Sequence, residues 1–425
     1  MASRFVRRKG RKCPWTYLGQ SGDAVATPTP IERVHRSAQP SLLGGRRHEA
    51  TGRRGKLRWH RAFFVVLASI LAVLLAIVGS VWYLSGRLIA VTHVGDSYPL
   101  RVIAVDPTAG IITVDRGPDA TEPGSFRLAW PRGNAVIGEI VTTTPTVTRH
   151  LSALHGRLVS GTQVGVQANP YTGNPYKALG LAFNTVLVPG ALGAMPAWMV
   201  RGHRSTWAIV IHGLGGNRAD TLPSMPALHA LGYPILAITY RNDQGAPQSL
   251  DHRSHLGATE WHDVEAAIRY AMGHGASGVI LYGYSLGGAM ALIAARDSLV
   301  RPDIRAVVLD SPVLDWPATL HYAARRHGLP PPLTTLVADV VAWRDHLDFV
   351  PFDQLKQEPS LNLPVLLIQG SADTVVPPAL ASRFAHARPA LVTYLPVPGA
   401  DHVSAIDTDP SGYRDALAVF LGADP

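Results

Sequence analysis

The hydrophobic pattern changes period along this chain, and each change marks a different kind of element. From Ala62 to Leu84, 23 consecutive positions carry no charge. At about 1.5 Å per residue, a helix of that length crosses the roughly 30 Å hydrocarbon core of a bilayer. The run opens on Phe63-Phe64-Val65-Val66-Leu67 and closes on Trp82-Tyr83, with aromatic residues at the expected water boundaries. It predicts an uncleaved transmembrane anchor over 62–84. A cleaved signal peptide would have a shorter apolar core, a shorter basic region than the 61 residues found here, and a small-residue cleavage site. Ser80-Val81-Trp82 and Ser85-Gly86-Arg87 make poor cleavage sites.

Beyond the anchor the apolar runs shorten to strand length. Leu100–Val105 and Ile111–Val114 flank Asp106-Pro107-Thr108-Ala109-Gly110, a hairpin signal. Phe126–Trp130 and Ala135–Val141 read as further strands, and the stretch from Asn169 to Pro175 has the turn chemistry of a linker. A small β-rich accessory domain is therefore expected over 88–178. Its candidate roles are a stalk, a partner site, part of an active-site rim, or a spacer that lifts the rest off the bilayer.

From residue 180 onward, buried-type strands alternate with helical segments. Thr185–Gly190 and Ala197–Val200 form an antiparallel hairpin signal. Thr206–Ile211, Pro234–Tyr240, Gly278–Tyr282, Ala306–Leu309, Pro364–Gln369 and Leu391–Leu395 supply further strands. Thr259–Glu265 reads as an N-capped helix start with acids in its first turn, followed by Val264, Ile268 and Ala271 on one face. This alternation predicts a mostly parallel sheet with helices on both faces. Residues 313–360 exceed an ordinary connection. They carry helical patterning at Leu333, Leu336, Val337, Val340 and Trp343, and aromatic surface at Trp316, Tyr322, Phe349 and Phe352. That segment is expected to be a lid or an enlarged helix layer.

The chemistry concentrates at four strand ends. Gly283-Tyr284-Ser285-Leu286-Gly287 follows a strand and leads into Gly288–Ala294, a helical run. Strand, sharp turn and helix form the context of a nucleophile elbow, with Ser285 as nucleophile. Upstream, Thr206–Ile211 runs into His212-Gly213-Leu214-Gly215-Gly216. This loop lacks the third glycine of a dinucleotide fingerprint and the Lys-Ser/Thr of a P-loop. It suits an oxyanion hole built from the backbone amides of Leu214 and Leu286. Gly370-Ser371-Ala372-Asp373 and Gly399-Ala400-Asp401-His402 close the set. Ser285, Asp373 and His402 follow one another in nucleophile–acid–base order, and a serine hydroxyl needs an oriented imidazole to take its proton. Asp310, one strand earlier, competes for the role of acid, and Asp373 also has the chemistry of a helix cap. His212 is expected to hold the oxyanion loop, and Asp401 to point away from the triad.

On HGLGG, Tyr240-Arg241-Asn242-Asp243, GYSLGG, GSAD and GADH, residues 180–425 resemble an actinobacterial-type α/β-hydrolase, similar to the families of monoacylglycerol lipases and S33 peptidases. The resemblance implies the α/β-hydrolase fold and ester, thioester or amide hydrolysis by Ser285, His402 and Asp373, with no cofactor and no metal. In related lipases the position of 313–360 carries a lid over the acyl pocket. The histidines and acids of Asp251–His255 with His262 invite a metal reading, but they lack metalloprotease helix spacing and cysteine partners.

Charge divides the chain. Residues 1–61 hold 15 Lys and Arg against Asp23, Glu32 and Glu49, so the net +9 of the whole belongs to the tail. The tail's Pro, Ser, Gly and Arg content predicts disorder. It shows no nucleic-acid module, so no nucleic-acid partner is expected, and the anionic inner leaflet is its simplest partner. Arg47, Arg53, Arg54, Lys56, Arg58 and Arg61 precede the span, whereas only Arg87 closely follows it. By the positive-inside rule the tail is cytoplasmic and the hydrolase extracytoplasmic. The one cysteine, Cys13, lies in the tail, so the outer part needs a core rather than disulfides. The expected partners are the membrane and a small-molecule or lipid ester. A peptidase or amidase, and a non-catalytic hydrolase-like binding protein, remain alternatives.

Overall fold

The structure, a computed structural model, describes residues 50–91, 98–117, 120–121, 125–167, 170–171, 173–326, 328–357 and 360–422. Most of the basic tail, and linker positions 168–169 and 172, lie outside the described residues. The chain divides into two units, Met1–Ser69 and Ile70–Pro425.

The uncharged run forms part of one helix, α1 (Ala50–Ile89). Within its Trp59–Ile89 portion, the most apolar 18-residue window has mean hydropathy 2.9, and none of that window is buried. The helix continues past Leu84, and its last residue changes character: Ile89 is 2% exposed within the main core of the following unit. Ser254 donates its amide to the Ile89 carbonyl at 2.9 Å, and Ala90 pairs with Arg253. Residues 88–90 thus pack on the domain that begins near 180 and not on the β-rich region. The expected 88–178 grouping is corrected at its start, because an apolar helix end buries better in a large core than in a small barrel.

Six antiparallel strands close a barrel in the order β1-β2-β5-β4-β3-β6. They are β1 (Leu100–Asp106), β2 (Ile111–Val114), β3 (Phe126–Trp130), β4 (Gly133–Thr142), β5 (Val147–His155) and β6 (Gln163–Gln167). The 106–110 turn joins β1 to β2 as the sequence predicts, with Asp106 Oδ1 accepting the amides of Thr108 and Ala109. Val102, Ile112, Leu128, Ile137, Val147 and Val164 fill the interior. Arg149 is fully buried on the inner face of β5. Its guanidinium donates to the carbonyls of Gly138 at 2.8 Å and Ala120 at 3.1 Å and lies over the Phe126 ring, which compensates its desolvation.

The second sheet has eight strands, ordered β14-β13-β12-β11-β9-β10-β8-β7. β7 (Phe183–Gly190) and β8 (Gly193–Val200) make the antiparallel hairpin. β9 (Thr206–Ile211), β10 (Ile235–Ala237), β11 (Gly278–Tyr284), β12 (Ile304–Asp310), β13 (Val365–Gly370) and β14 (Val392–Val397) run parallel to one another. β10 is shorter than the expected 234–240 run, since only three of its residues pair. Alternate residues feed two cores. Ile209, Leu281, Val307 and Leu367 face one side, while Val210, Ile280, Val308 and Leu366 face the other.

The helices are α2 (Pro175–Leu179), α3 (Met225–Ala230), α4 (Trp261–Gly273), α5 (Leu286–Asp297), α6 (Trp316–Arg326), α7 (Pro331–Arg344), α8 (Gln354–Gln357), α9 (Pro378–Ala387), α10 (Ala405–Thr408) and α11 (Pro410–Gly422). Core residues of α4, α5, α6, α7 and α9 join the first cluster, and those of α3, α10 and α11 join the second. Val264, Ile268 and Ala271 form the buried face of α4 as expected. The expected cap does not form. Glu260 instead turns its carboxylate back to the amides of His255 and Gly257, ordering the loop ahead of the helix.

Candidate active site

Ser285 sits between the last residue of β11 and the first of α5 with φ 51° and ψ −114°, a strained conformation for a residue with a Cβ. Two close approaches make the turn possible. A Cβ at position 283 would lie 2.4 Å from the Gly287 carbonyl group, and one at 287 would lie 2.3 Å from the Ile211 oxygen. Only glycine fits at either place, which is why the turn reads G-x-S-x-G.

The structure brings Ser285, His402 and Asp373 into one hydrogen-bonded line. His402 Nε2 lies 3.0 Å from Ser285 Oγ, and His402 Nδ1 lies 2.9 Å from Asp373 Oδ2. Asp373 is fully buried, and its two oxygens divide their work. Oδ1 accepts the amides of Val375 and Val376, each at 2.8 Å, while Oδ2 faces His402 and also accepts Gln369 Nε2 at 2.8 Å. The capping and orienting chemistries suggested by the sequence therefore coexist on one carboxylate, although the capped turn ends before α9. Tyr322 Oη donates to the Asp373 carbonyl at 2.8 Å and fixes the same loop from α6.

Asp310 is placed elsewhere. Its carboxylate accepts Tyr413 Oη at 2.7 Å and Ser311 Oγ at 3.1 Å, and the Tyr413 hydroxyl also meets that of Tyr282. Burial pushes the Asp310 carboxyl up to about 6, with the Tyr413 and Ser311 hydrogen bonds pulling the other way. Asp401 accepts the amides of Thr374 and His402, at 2.6 and 2.7 Å, so it holds the two strand-end loops together rather than the imidazole.

On the other side of Ser285, Gly213 and Leu214 follow β9, and a Cβ at 213 would lie 3.2 Å from that of Ser285. Leu286 opens α5, where a backbone amide has no intrahelical partner. His212 is fully buried, with Nε2 2.7 Å from Asp243 and Nδ1 2.9 Å from the Gly213 carbonyl, and it stacks on Tyr240. Burial opposes its charge, yet the Asp243 carboxylate beside it raises its pKa overall. Tyr240 Oη donates to the Gly213 carbonyl at 2.8 Å. The loop is thereby clamped by side chains of the HGLGG and Tyr240–Asp243 motifs. Of the other histidines and acids, His255 pairs with Asp251 at 3.0 Å, His252 with Gln248, and His262 stacks on Trp261.

Ser285 and His402 open into a cleft of about 620 Å³. Its wall includes Val313, Trp316 and Thr319 from the 313–360 segment, and Ile406 and Asp407 from α10. Burial, together with the nearby Asp310 carboxylate, pushes the Asp407 carboxyl up to about 7. Three residues come from the barrel: Arg127 on β3, and Val166 and Gln167 on β6. Part of an active-site rim is among the roles expected of this region, but nothing local in the sequence marks which of its residues reach the cleft. Leu333, Leu336, Val337, Val340 and Trp343 do form a helix, but α7 does not line the cleft.

The eight-stranded sheet with its second strand antiparallel, together with a serine-bearing turn after β11, constitutes an α/β-hydrolase fold. Residues 207–331 match the family described as alpha/beta hydrolase fold, and residues 101–167, the barrel strands, match a domain of unknown function (DUF8805). The chain is similar to an uncharacterized protein of Mycobacterium tuberculosis strain H37Rv, 29% identical over 218 residues, which are 50% of this chain and 68% of the relative. Among solved structures, an esterase of Pyrococcus furiosus is 20% identical with TM-score 0.48, covering 59% of this chain and 96% of its own. A serine hydrolase of Xanthomonas campestris described as lacking a lid is 18% identical with TM-score 0.41, covering 57% of this chain and 97% of its own.

Proposed function

We propose that this protein is a membrane-anchored serine hydrolase that cleaves carboxylic esters of lipid-like, acylglycerol type. The observation that carries the reading is the continuous line from Ser285 Oγ through His402 to a buried, doubly supported Asp373. Ser285 attacks the acyl carbonyl while its proton passes to His402 Nε2. The oxyanion that forms is held by the amides of Leu214 and Leu286. The alcohol leaves with the proton from His402, giving an acyl-enzyme. Water then attacks, activated by the same imidazole, and releases the acid and Ser285. Asp373 keeps Nδ1–H toward itself, which leaves Nε2 free to accept.

The apolar Trp59–Ile89 window supports anchoring, and the basic residues ahead of it support a cytoplasmic tail with the hydrolase outside. The anchor, together with Val166, Val313, Trp316, Val375 and Ile406 in the cleft, favours an apolar acyl chain. One observation favours a second reading, an amidase or peptidase: Asp220 and Asp407 also line the cleft and suit a substrate with an amino group.

The test is hydrolysis of esters from acetyl to palmitoyl, alongside aminoacyl anilides, with the Ser285→Ala background subtracted. Rates that rise with chain length support the lipid reading. Activity confined to the anilides replaces it with the second. Folded protein that neither hydrolyses these nor labels at Ser285 with a fluorophosphonate is a binding protein.

A further inference from the structure

Helix α7 carries apolar residues on opposite faces. Thr334, Val337, Ala338 and Val341 are buried against the domain. On the far side Leu336 is 47% exposed and Trp343 is 70% exposed. At about 100° per residue the two project about 20° apart, so they form one stripe, with Thr335 and Asp339 on its flank. A surface helix in water keeps its outer face polar, whereas the outer face of α7 carries Leu336 and Trp343 alongside Thr335 and Asp339.

What faces this stripe follows from the residue beside it. Arg344 donates to the Trp82 carbonyl at 3.0 Å and to Ser85 Oγ at 2.9 Å, and its guanidinium lies over the Trp82 ring at 4.0 Å. Trp82 belongs to the 23-residue uncharged run, two positions from its end. Arg253 holds the same corner from the other side. It pairs with Ala90 through its backbone and with Asp345 through its guanidinium at 2.7 Å. The carboxyl end of α7 is therefore fixed at the depth where the apolar run ends. Trp82 and Tyr83, 54% and 63% exposed, sit at that depth too. Trp, Tyr and Arg are the residues that settle at the boundary between headgroups and acyl chains, Arg with its stem in the apolar layer and its head in the polar one.

We propose that α7 rests on the bilayer surface at the carboxyl end of the span, with Leu336 and Trp343 inserted at the headgroup–acyl boundary. The proposal rests on the reading of α1 as a membrane span. It deepens the lipid-ester reading by setting the cleft against the bilayer. α7 packs on α6, whose Trp316 and Thr319 line the cleft. Ala90 and Val91, the residues immediately after α1, share a recess with Leu214, Gly215 and Gly216 of the oxyanion loop. An ester at the bilayer surface would then reach Ser285 by moving along the interface rather than through bulk water.

The experiment uses the full chain with Cys13→Ser, reconstituted in phosphatidylcholine vesicles. Single cysteines carry an environment-sensitive fluorophore at Leu74 in the span, at Leu336 or Trp343 on α7, or at Val419, which is 79% exposed on α11. The expected result is blue-shifted emission, quenched by doxyl-labelled lipid, at positions 74, 336 and 343, with water-like emission at 419. If the label at 74 is in lipid while those at 336 and 343 stay water-like, the docking is wrong and the anchor stands. The docking is equally wrong if 336 and 343 are shielded from water yet not quenched by lipid, since protein then covers them. If the label at 74 is also water-like, the anchoring reading fails and takes the docking with it.

Discussion

Gln369 and His402 donate to the same oxygen of Asp373: Oδ2 lies 2.8 Å from the Gln369 amide nitrogen and 2.9 Å from His402 Nδ1. The amide holds the carboxylate oxygen that faces the imidazole, and it makes no hydrogen bond to Ser285 or His402. A hydrogen bond to a charged group is worth about 1.5–3 kcal/mol. Gln369→Leu is therefore expected to lower kcat by about 10- to 100-fold with KM little changed, and Gln369→Asn to restore part of it. Steady-state kinetics on a short soluble ester separate the two parameters. An unchanged kcat in a folded variant would reduce Gln369 to packing.

Asp373→Asn tests the orienting role directly. Loss of the correct imidazole tautomer in a triad costs about 10⁴ in kcat. Asp310→Asn should leave kcat within a few-fold, because Asp310 bonds Tyr413 and Ser311 instead. The reverse ranking would make Asp310 the acid.

Asp310 should appear in stability instead. Its carboxyl, raised from 3.8 to about 6 by burial, binds its proton more tightly in the folded state than in the unfolded one. The resulting stabilisation is complete below about pH 4 and is lost as pH rises through about 6, a swing of about 3 kcal/mol. The Asp310→Asn variant should flatten that part of the Tm-against-pH curve. A slope equal to wild type between pH 4 and 7 would mean that Asp310 titrates alike in the folded and unfolded chain.

Asp407, raised to about 7 by burial and Asp310, places a titrating charge in the cleft. The protonated carboxyl below pH 7 is neutral, and the ionised one above it attracts cations. The ratio of kcat/KM for a cationic ester to that for a neutral ester of equal size should therefore rise through pH 7. Taking the ratio cancels ionisations common to both substrates, and Asp407→Asn should remove the rise.

The barrel's share of the cleft is tested by Val166→Trp on β6. A side chain grown into an apolar pocket discriminates by roughly 1–3 kcal/mol per group that no longer fits. The variant should lose about tenfold or more in kcat/KM for palmitoyl esters and little for acetyl esters. Equal losses for both would mean that Val166 lies off the acyl path.

The hydrolase half was legible because its chemistry sits on local geometry. The turn at Ser285 needs glycine at 283 for reasons set within five residues, glycine at 287 is crowded by the end of the neighbouring strand β9, and the G-x-S-x-G pattern records both. The chain order of Asp373 and His402 follows from the sheet. The barrel was only half legible. β5 carries Arg149 on its inner face, which breaks the apolar alternation that marks a strand, and β6 is only five residues long. Gln369 read as a strand end, and its bond to Asp373 depends on how the next loop folds back. That Arg127 and Val166 line the same cleft as Ser285 is a tertiary fact with no local signature.

The burial of Ile89 leaves no hinge between the Ile70–Ile89 part of α1 and the catalytic domain. A helix that ends inside the core turns only when the whole body turns. The compass direction in which the cleft looks is thus set by which side of α1 carries Ile89. Inserting a single residue just ahead of Ile89 would swing that direction by about 100°, as a weathervane swings on its shaft.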